Sequence, residues 1–160
     1  MEDDEVAARV AVHRAAWKPS TLPWADGRPT APEAESSFTE EAYEAVRRTL
    51  SYRQDLDLVA VAPDGSLAGC CIAWLDPATG VAEIEPLGVV PEHRRNGVAV
   101  ALCLAVAARV GAHGGHELFI NTGPREEYPG PAAAYVKAGF RPVARATTYV
   151  REPAGRSTTR

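Results

Sequence analysis

The chain has 160 residues, 46% hydrophobic and 24% charged, which is enough for one domain with a substantial core and excludes a disordered or fibrous protein. Its formal net charge of −4 argues against a nucleic-acid partner, while its acidic start and the lack of an apolar run of about 20 residues argue against a signal peptide and a membrane partner. Three cysteines, two of them adjacent, form neither a disulfide framework nor a Cys-x-x-Cys motif, so we expect a cytoplasmic protein without a metal.

The first predicted element is a helix that begins near Asp3 or Asp4 and runs to about Trp17. A proline-rich segment, residues 18–36, follows it. This segment is either a surface loop or a lid over a substrate, because Trp17 and Trp24 supply rigid apolar contacts. Both interpretations stay open.

A second helix is predicted by the capping-box spacing of Ser37 and Glu40. Its apolar stripe consists of Tyr43, Val46 and Leu50, so the helix should extend to about Leu50.

Three strands are predicted next, over residues 56–62, 67–74 and 81–90. Turn residues separate them, Pro-Asp-Gly-Ser in the first gap and Asp-Pro-Ala-Thr-Gly in the second. Short connections of this kind join antiparallel neighbours, so the pattern predicts a three-stranded meander.

The second half of the chain predicts alternating helices and strands. Residues 98–108 carry no charge, which indicates a helix covered on most sides. Residues 117–122 form a strand parallel to its predecessor through a right-handed crossover. A short helix near 131–138 ends with Gly139 at its C′ position, and a last strand follows at about 144–151.

The most informative stretch is residues 83–104, where a strand runs through a basic turn, His-Arg-Arg-Asn-Gly, into a helix. A helix start leaves backbone N–H groups unpaired at the positive end of its dipole, which makes it an anion site. Gly97 lets the backbone approach a ligand closely, and Arg94 and Arg95 carry charge that suits phosphate oxygens. The turn therefore predicts a diphosphate site.

The strand before this turn has two unusual features. Pro86 has no N–H for the ladder and Gly88 has no side chain to pack, which together predict a bulge. Glu83 and Glu85 lie on one face by the two-residue period of a strand. Two carboxylates on an apolar strand are costly to bury unless they have a partner or a task.

These residues carry a resemblance to a known family. The pattern Arg94-x-x-Gly97-x-Ala99, between a strand and a helix, resembles the acetyl-CoA pyrophosphate loop of the GCN5-related N-acetyltransferases (GNAT). Residues 134–140, Ala-Tyr-Val-Lys-Ala-Gly-Phe, are similar to the late Tyr-x-x-x-Gly-Phe segment of that family. The strand predicted between the two segments agrees with the spacing that the family requires.

The resemblance covers roughly residues 56–150 and implies the α/β (α+β) fold of this family. That fold is a mixed, mostly antiparallel sheet, splayed between two central parallel strands and flanked by helices. We expect residues 1–151 to form a single acetyltransferase domain and 152–160 a flexible tail. The family's opening strand is missing from the predicted elements, which leaves a sheet edge open for a homodimer or a tandem partner domain.

The resemblance also implies acetyl-CoA as co-substrate. Backbone groups of Leu87, Gly88 and Val89 would bind the pantetheine arm like an added strand. Asn121 would bind the arm across the splay, although it is equally a strand-end turn residue. The pyrophosphate would be held by the turn residues Arg94, Arg95, Asn96, Gly97, Val98 and Ala99.

Acetyl transfer to an amine requires a base, because a primary amine has a pKa of about 10 and arrives charged. It also requires an acid that returns a proton to the leaving thiolate. Glu83 matches the glutamate base of histone-type family members, whereas Glu85 lies closer to the bulge and is slightly preferred. The alternative is that both are ordinary strand glutamates. Tyr135 matches the family tyrosine that protonates the leaving thiolate, with a plain core tyrosine as the alternative.

Together, the resemblance implies an N-acetyltransferase that moves acetyl from acetyl-CoA to a primary amine of a small molecule by direct attack in a ternary complex. A non-catalytic acyl-CoA sensor is the second hypothesis. A third is an interaction domain whose arginine-rich turn binds an acidic partner.

Overall fold

The computed structural model describes residues 3–17, 36–123, 126, 128–145 and 147. Short 3-10 turns, Gln54–Leu56 and Pro91–His93, precede the first strand and the third helix. The helices and strands in chain order are α1 (Asp3–Ala16), α2 (Glu40–Arg47), β1 (Asp57–Val61), β2 (Leu67–Asp76), β3 (Val81–Val89), α3 (Val98–Ala112), β4 (Glu117–Phe119) and α4 (Pro129–Lys137).

Within these residues the strands form one sheet in the order β1-β2-β3-β4. The first three strands pair antiparallel, and β3 pairs parallel with β4. The parallel pairing joins residues 81–83 to 117–119 and then stops, while β3 continues to Val89. The sheet is therefore splayed between its two parallel strands, and the predicted fold class is confirmed. Whether the outer strand β1 pairs with another copy stays a prediction.

The predicted bulge lies in β3. Between Ile84 and Leu87, this strand has two residues, Glu85 and Pro86, opposite the single Ile72 of β2. The Glu85–Pro86 peptide bond is cis. Because a bulge shifts the register, the part of β3 that leads to α3 is offset from the part that pairs with β4.

The main core lies between the sheet and α3. Because α3 packs against the sheet with one face only, the prediction that it is covered on most sides is wrong, and Leu104 is 55% exposed. The side chains that α3 buries are Leu102, Cys103, Val106 and Val110.

Helix α2 begins later than predicted. The side chain of Thr39, the N-cap, accepts a hydrogen bond from the N–H of Ala42 at 3.1 Å, so the predicted capping box of Ser37 and Glu40 is wrong. The helix ends at Arg47, and Leu50 lies beyond it, fully exposed. Both serine and threonine can cap a helix, and here the choice is made by the packing that buries Tyr43 under α1.

Several predictions fall outside the described residues. These are the proline-rich segment up to residue 35 and most of the last predicted strand, of which only residues 144, 145 and 147 are described, in irregular conformation. The domain boundary at residue 151 and the tail stay predictions for the same reason. No helix in the described part of the chain is long and apolar enough to cross a membrane.

Candidate active site

The predicted anion site lies at the start of α3. Gly97 is the N-cap, with φ of +82°, a conformation that glycine adopts without strain. The first helical hydrogen bond runs from the N–H of Ala101 to the Gly97 carbonyl at 2.9 Å. The N–H groups of residues 98–100 therefore precede the helical ladder and remain available to an anion. A Cβ added at Gly97 would meet no atom within 4 Å, so the space in front of the turn is open.

The two arginines of this turn differ in their surroundings. Arg95 and Asn96 are exposed, and Arg95 has a φ of +67°. The Arg94 guanidinium instead donates from Nε to the Val89 carbonyl at 3.2 Å and from Nη2 to the Ala16 carbonyl at 3.3 Å. Arg94, whose charge was predicted to lie on phosphate, thus links the end of β3 to the end of α1 through these two hydrogen bonds.

Among the described residues, no strand pairs with the outer edge of β3 beside this turn. The N–H of Val90 donates to the Ala68 carbonyl of β2 at 3.1 Å. Because hydrogen-bonding directions alternate along an antiparallel strand, Gly88 also faces β2, whereas the N–H groups of Leu87 and Val89 face the opposite edge. The pairing of β4 has already stopped at this level. A ligand chain could therefore add to β3 between the anion turn and the bulge.

Gly88 is required for a reason that the sequence did not reveal. A Cβ at this position would lie 2.1 Å from the ring of Trp17 and 2.8 Å from the Cβ of Ala16. The glycine therefore lets the end of α1 pack directly on β3. It places Trp17, which precedes the proline-rich segment, over the strand that carries both glutamates.

The two glutamates of β3 interact, as expected for residues on one face. Partial desolvation, together with the negative charge of Glu83, raises the pKa of Glu85. Glu83 itself accepts a hydrogen bond from the side-chain amide of Asn121 at 2.7 Å. Asn121, which follows the end of β4, thus contacts a carboxylate of β3. Its contact with a pantetheine arm stays a prediction.

Tyr135 is held by the way α4 ends. The N–H of Phe140 donates to the Tyr135 carbonyl at 3.0 Å, and that of Gly139 to the Val136 carbonyl at 3.1 Å. With Gly139 at a φ of +95°, this is a Schellman motif, and the predicted C′ glycine is confirmed. The rings of Tyr135 and Phe140 lie 6.3 Å apart, edge to face, which completes the apolar contact of the motif.

The Tyr135 side chain packs against the main core, and the charge of Glu85 affects its pKa. Burial raises its pKa first, and the charges of Cys103 and Glu85 add to that effect. The hydroxyl therefore keeps its proton at neutral pH, as an acid must before it reacts.

Sequence analysis missed two aromatic residues beside the glutamates. The Trp74 indole donates from Nε1 to the backbone carbonyl of Glu85 at 2.5 Å, and Trp74 pairs with Glu83 across the strands. The Tyr52 ring meets Trp74 edge to face, with 6.5 Å between centroids. A tryptophan at the end of an apolar strand is a weak signal, because its partner is known only once the strand register is known.

Sequence analysis also missed a buried charge cluster around Asp57, which lies behind these rings. Its carboxylate is 0% exposed and accepts hydrogen bonds from Arg9 Nε at 2.8 Å and from the hydroxyls of Tyr43 at 2.6 Å and Tyr52 at 3.1 Å. Arg9 is 2% exposed and lies 5.3 Å from the centre of the Tyr43 ring. The cluster joins α1, α2 and β1 beneath the surface that carries Trp74.

The remaining histidines and cysteines offer no metal site in the described residues, where no three of the side chains His, Cys, Asp or Glu could hold an ion. His113 instead pairs with Asp55. Cys103 lies in the core, where burial raises the pKa of its thiol to about 11. Neither residue type therefore competes with the glutamates for a chemical role.

The splayed sheet, the open strand edge and the anion turn together define an acyltransferase of the coenzyme A-dependent class. A model of the acetyltransferase (GNAT) family matches residues 9–140. The chain belongs to this family, and the expected enzyme class, an acetyl-CoA-dependent N-acyltransferase, is confirmed. No curated protein sequence matches the chain significantly.

Solved structures of the same fold include aminoglycoside acetyltransferases. The chain is similar to AAC(6')-IG from Acinetobacter haemolyticus at 16% identity, with a TM-score of 0.65 over 96% of both chains. It is also similar to AAC(6')-Iy in complex with CoA at 21% identity, with a TM-score of 0.65 over 96% of this chain and 92% of that one. The complex of AAC(6')-Iy with a bisubstrate analog matches at 22% identity and a TM-score of 0.63, over 96% and 95%. At these identities the likeness establishes the fold.

Proposed function

We propose that the chain moves an acetyl group from acetyl-CoA to a primary amine of a small molecule, by direct attack in a ternary complex. The observation that carries this proposal is the edge of β3 that no described strand pairs with, which runs from the anion turn to the bulge at Glu85 and Pro86. A coenzyme laid along this edge ends at a base and an acid. Two related structures support the assignment, since AAC(6')-Iy was solved with CoA and with a bisubstrate analog.

The coenzyme is bound mainly by backbone groups. Its pyrophosphate accepts hydrogen bonds from the N–H groups of residues 95–99, where the positive end of the α3 dipole adds to the attraction. Its pantetheine arm pairs with Leu87 and Val89 as an added strand. The thioester carbonyl then reaches the bulge, beside Glu85 and Pro86.

Glu85 is the general base in this proposal. The ammonium first loses one proton through Glu85 to bulk water; the nitrogen lone pair then attacks the thioester carbonyl carbon, and Glu85 takes the second N–H proton, directly or through a water. A raised pKa brings the carboxylate closer to the pKa of the amine, which makes it a stronger base. Glu83, whose carboxylate is engaged by Asn121, holds the ammonium form of the substrate before it loses its proton.

Tyr135 returns a proton to the leaving group. When the tetrahedral intermediate collapses, the C–S bond breaks, its electron pair stays on sulfur, and the phenol protonates the thiolate. Glu85 holds the proton from the amine at that moment and lies close enough to Tyr135 to affect its pKa. Glu85 then releases its proton to water and Tyr135 takes one up from water, which restores both groups and closes the cycle.

The acceptor is a cationic amine with an apolar ring face. Glu83 and Glu85 suit an ammonium group, while Trp17, whose ring packs on Gly88 of the same strand, provides aromatic surface. Amino sugars have both properties. The relatives solved with this fold include aminoglycoside acetyltransferases, which supports the same class of acceptor.

Thiol release from acetyl-CoA in the presence of an amine panel tests the proposal. The panel contains aminoglycosides, linear polyamines and monoamines, and we expect release that depends on the amine. Calorimetry with CoA runs in parallel. Coenzyme binding without turnover on any amine would favour the acyl-CoA sensor, and absence of heat with both free and acetylated coenzyme would overturn both coenzyme hypotheses.

A further inference from the structure

The bulge of β3 receives a hydrogen bond from outside the strand ladder. Glu85 lies where the pairing between β2 and β3 shifts register, and the next residue is Pro86, which has no N–H. The Trp74 indole reaches from β2 and donates to the Glu85 backbone carbonyl at 2.5 Å. The conformation of the residue that carries the proposed base is thus held by a side chain.

The indole is held in turn by Tyr52. The two rings meet edge to face, and the Tyr52 hydroxyl donates to Asp57 at 3.1 Å. Burial raises the pKa of Tyr52, so the phenol stays a donor. The Asp57 carboxylate is fully buried and bound by Arg9. A continuous path of contacts therefore links the rigid interior to the bulge.

Such a path matters more for chemistry than for folding. A base must hold its oxygen within a fraction of an ångström of the productive position, and a displacement of about 1 Å costs on the order of 100-fold in rate. The bulge is the least regular part of β3, and the Glu85 side chain itself is exposed. Glu85 has no register partner of its own in β2, so the indole supplies a contact from β2 that the ladder does not.

We propose that Trp74 is a positioning residue for acetyl transfer. By holding the Glu85 carbonyl, it fixes the direction in which the Glu85 carboxylate leaves the strand, and Tyr52 fixes the indole through Asp57. Trp74 does not touch the reacting atoms. The inference rests on the proposed function, in which Glu85 is the base.

Trp74→Phe removes the N–H donor and keeps an aromatic ring. We expect kcat to fall by about 10- to 100-fold while the KM for acetyl-CoA stays unchanged. The released Glu85 carboxylate should become better solvated, so the desolvation that raises its pKa should lessen and the acid limb of the pH–rate profile should shift to lower pH. A variant with the kcat and pH profile of the parent would overturn the inference.

A matched pair of tyrosine variants separates positioning from stability. Tyr52→Phe and Tyr43→Phe each remove one hydroxyl donor from the same Asp57 oxygen, but Tyr52 is the one whose ring meets Trp74. We expect both to lower the melting temperature and only Tyr52→Phe to lower kcat, by a few-fold. If kcat fell equally in both variants and in parallel with the melting temperature, the path of contacts would have only a structural role.

Two further measurements distinguish this inference from the proposed function. Glu85→Gln with full activity would show that the base assignment is wrong, whereas an impaired Glu85→Gln beside a fully active Trp74→Phe would reject the positioning role alone. NMR titration of the Glu85 carboxyl needs no turnover. We expect a lower pKa in Trp74→Phe than in the parent and no change in Tyr43→Phe, and an unchanged pKa in both would contradict the inference.

Discussion

The two sides of the candidate site are built in different ways. The proposed coenzyme side, residues 87–99, is one continuous stretch, and the groups that we propose to bind CoA are mostly backbone N–H groups. The reaction side gathers side chains from separate parts of the chain: Tyr52, Trp74, Glu83, Glu85 and Tyr135. Side chains of the coenzyme side should therefore be replaceable as long as its backbone is kept. The reaction side should be sensitive to single atoms.

The largest effect should come from the reaction side, with Glu85→Gln. We expect kcat to fall by about 100- to 10,000-fold because the amine loses its base, with coenzyme affinity unchanged. Burial and the charge of Glu83 raise the pKa of Glu85, so the base is active above that raised pKa and activity should fall as the pH drops through it. Thiol release over a pH series measures both effects.

Glu83→Gln is the matched control for this variant, since it removes the same charge from the same face of β3. Its hydrogen bond with Asn121 should survive in part, and we expect a smaller loss that falls mainly on the KM for the amine. A greater loss of kcat in Glu83→Gln than in Glu85→Gln would exchange the two roles.

The second largest effect should come from Gly97→Glu, because this substitution changes the backbone on which the coenzyme side depends. A carboxylate at the helix start repels phosphate, and a φ of +82° disfavours any residue with a Cβ. We expect CoA affinity to fall by roughly 100-fold, which corresponds to about 2.7 kcal/mol. Calorimetry measures it. Gly111→Glu is the control, because Gly111 lies in α3 with open space around it, and equal heats in both variants would argue against the anion turn.

This contrast also explains how much the sequence could predict. The anion turn, the bulge at Pro86 and the glycine after Tyr135 are each specified within a few neighbouring residues, so turn and cap chemistry predicts them directly. Their roles in a single site followed from the resemblance to the family. That both glutamates lie on one face could be predicted from the two-residue period of a strand alone.

The remaining features depend on contacts between distant residues. Trp74 meets the Glu85 carbonyl only because of the register of β2 on β3. From the sequence alone, Arg9 would be expected on the surface, because its buried partner Asp57 lies 48 residues away in the chain. Thr39 rather than Ser37 caps α2 because packing selects between two suitable side chains. No local pattern distinguishes these outcomes.

Tyr135→Phe should have an intermediate effect. The ring still packs against Phe140 and the core, so stability should change little, while the thiolate loses its proton donor. We expect kcat to fall by about 10- to 100-fold, since water can replace the phenol in part. Thiol release from acetyl-CoA analogues with more acidic leaving thiols provides the check. Those analogues should recover rate in the variant, and equal rates in variant and parent would leave Tyr135 as a packing residue.

The smallest effect should come from Arg94→Gln, a substitution at the contact between the coenzyme side and the end of α1. The Arg94 guanidinium donates to the Val89 and Ala16 carbonyls, so it ties the coenzyme side to the end of α1, where Trp17 lies over β3. Backbone N–H groups still bind the pyrophosphate after this substitution. We expect CoA affinity to change less than about threefold and the KM for the amine to rise about three- to tenfold, in proportion to the lost hydrogen bonds.

Arg95→Gln removes the same charge from the same turn, one residue away, and its side chain is exposed. We expect the reverse pattern, weaker CoA binding at low salt and an unchanged KM for the amine, because a free charge near phosphate acts through screened attraction. Titration calorimetry at two salt concentrations and steady-state kinetics distinguish the pair. If Arg94→Gln weakened CoA binding and left the amine unaffected, the guanidinium would turn to phosphate on binding, and the turn would depend on side chains after all.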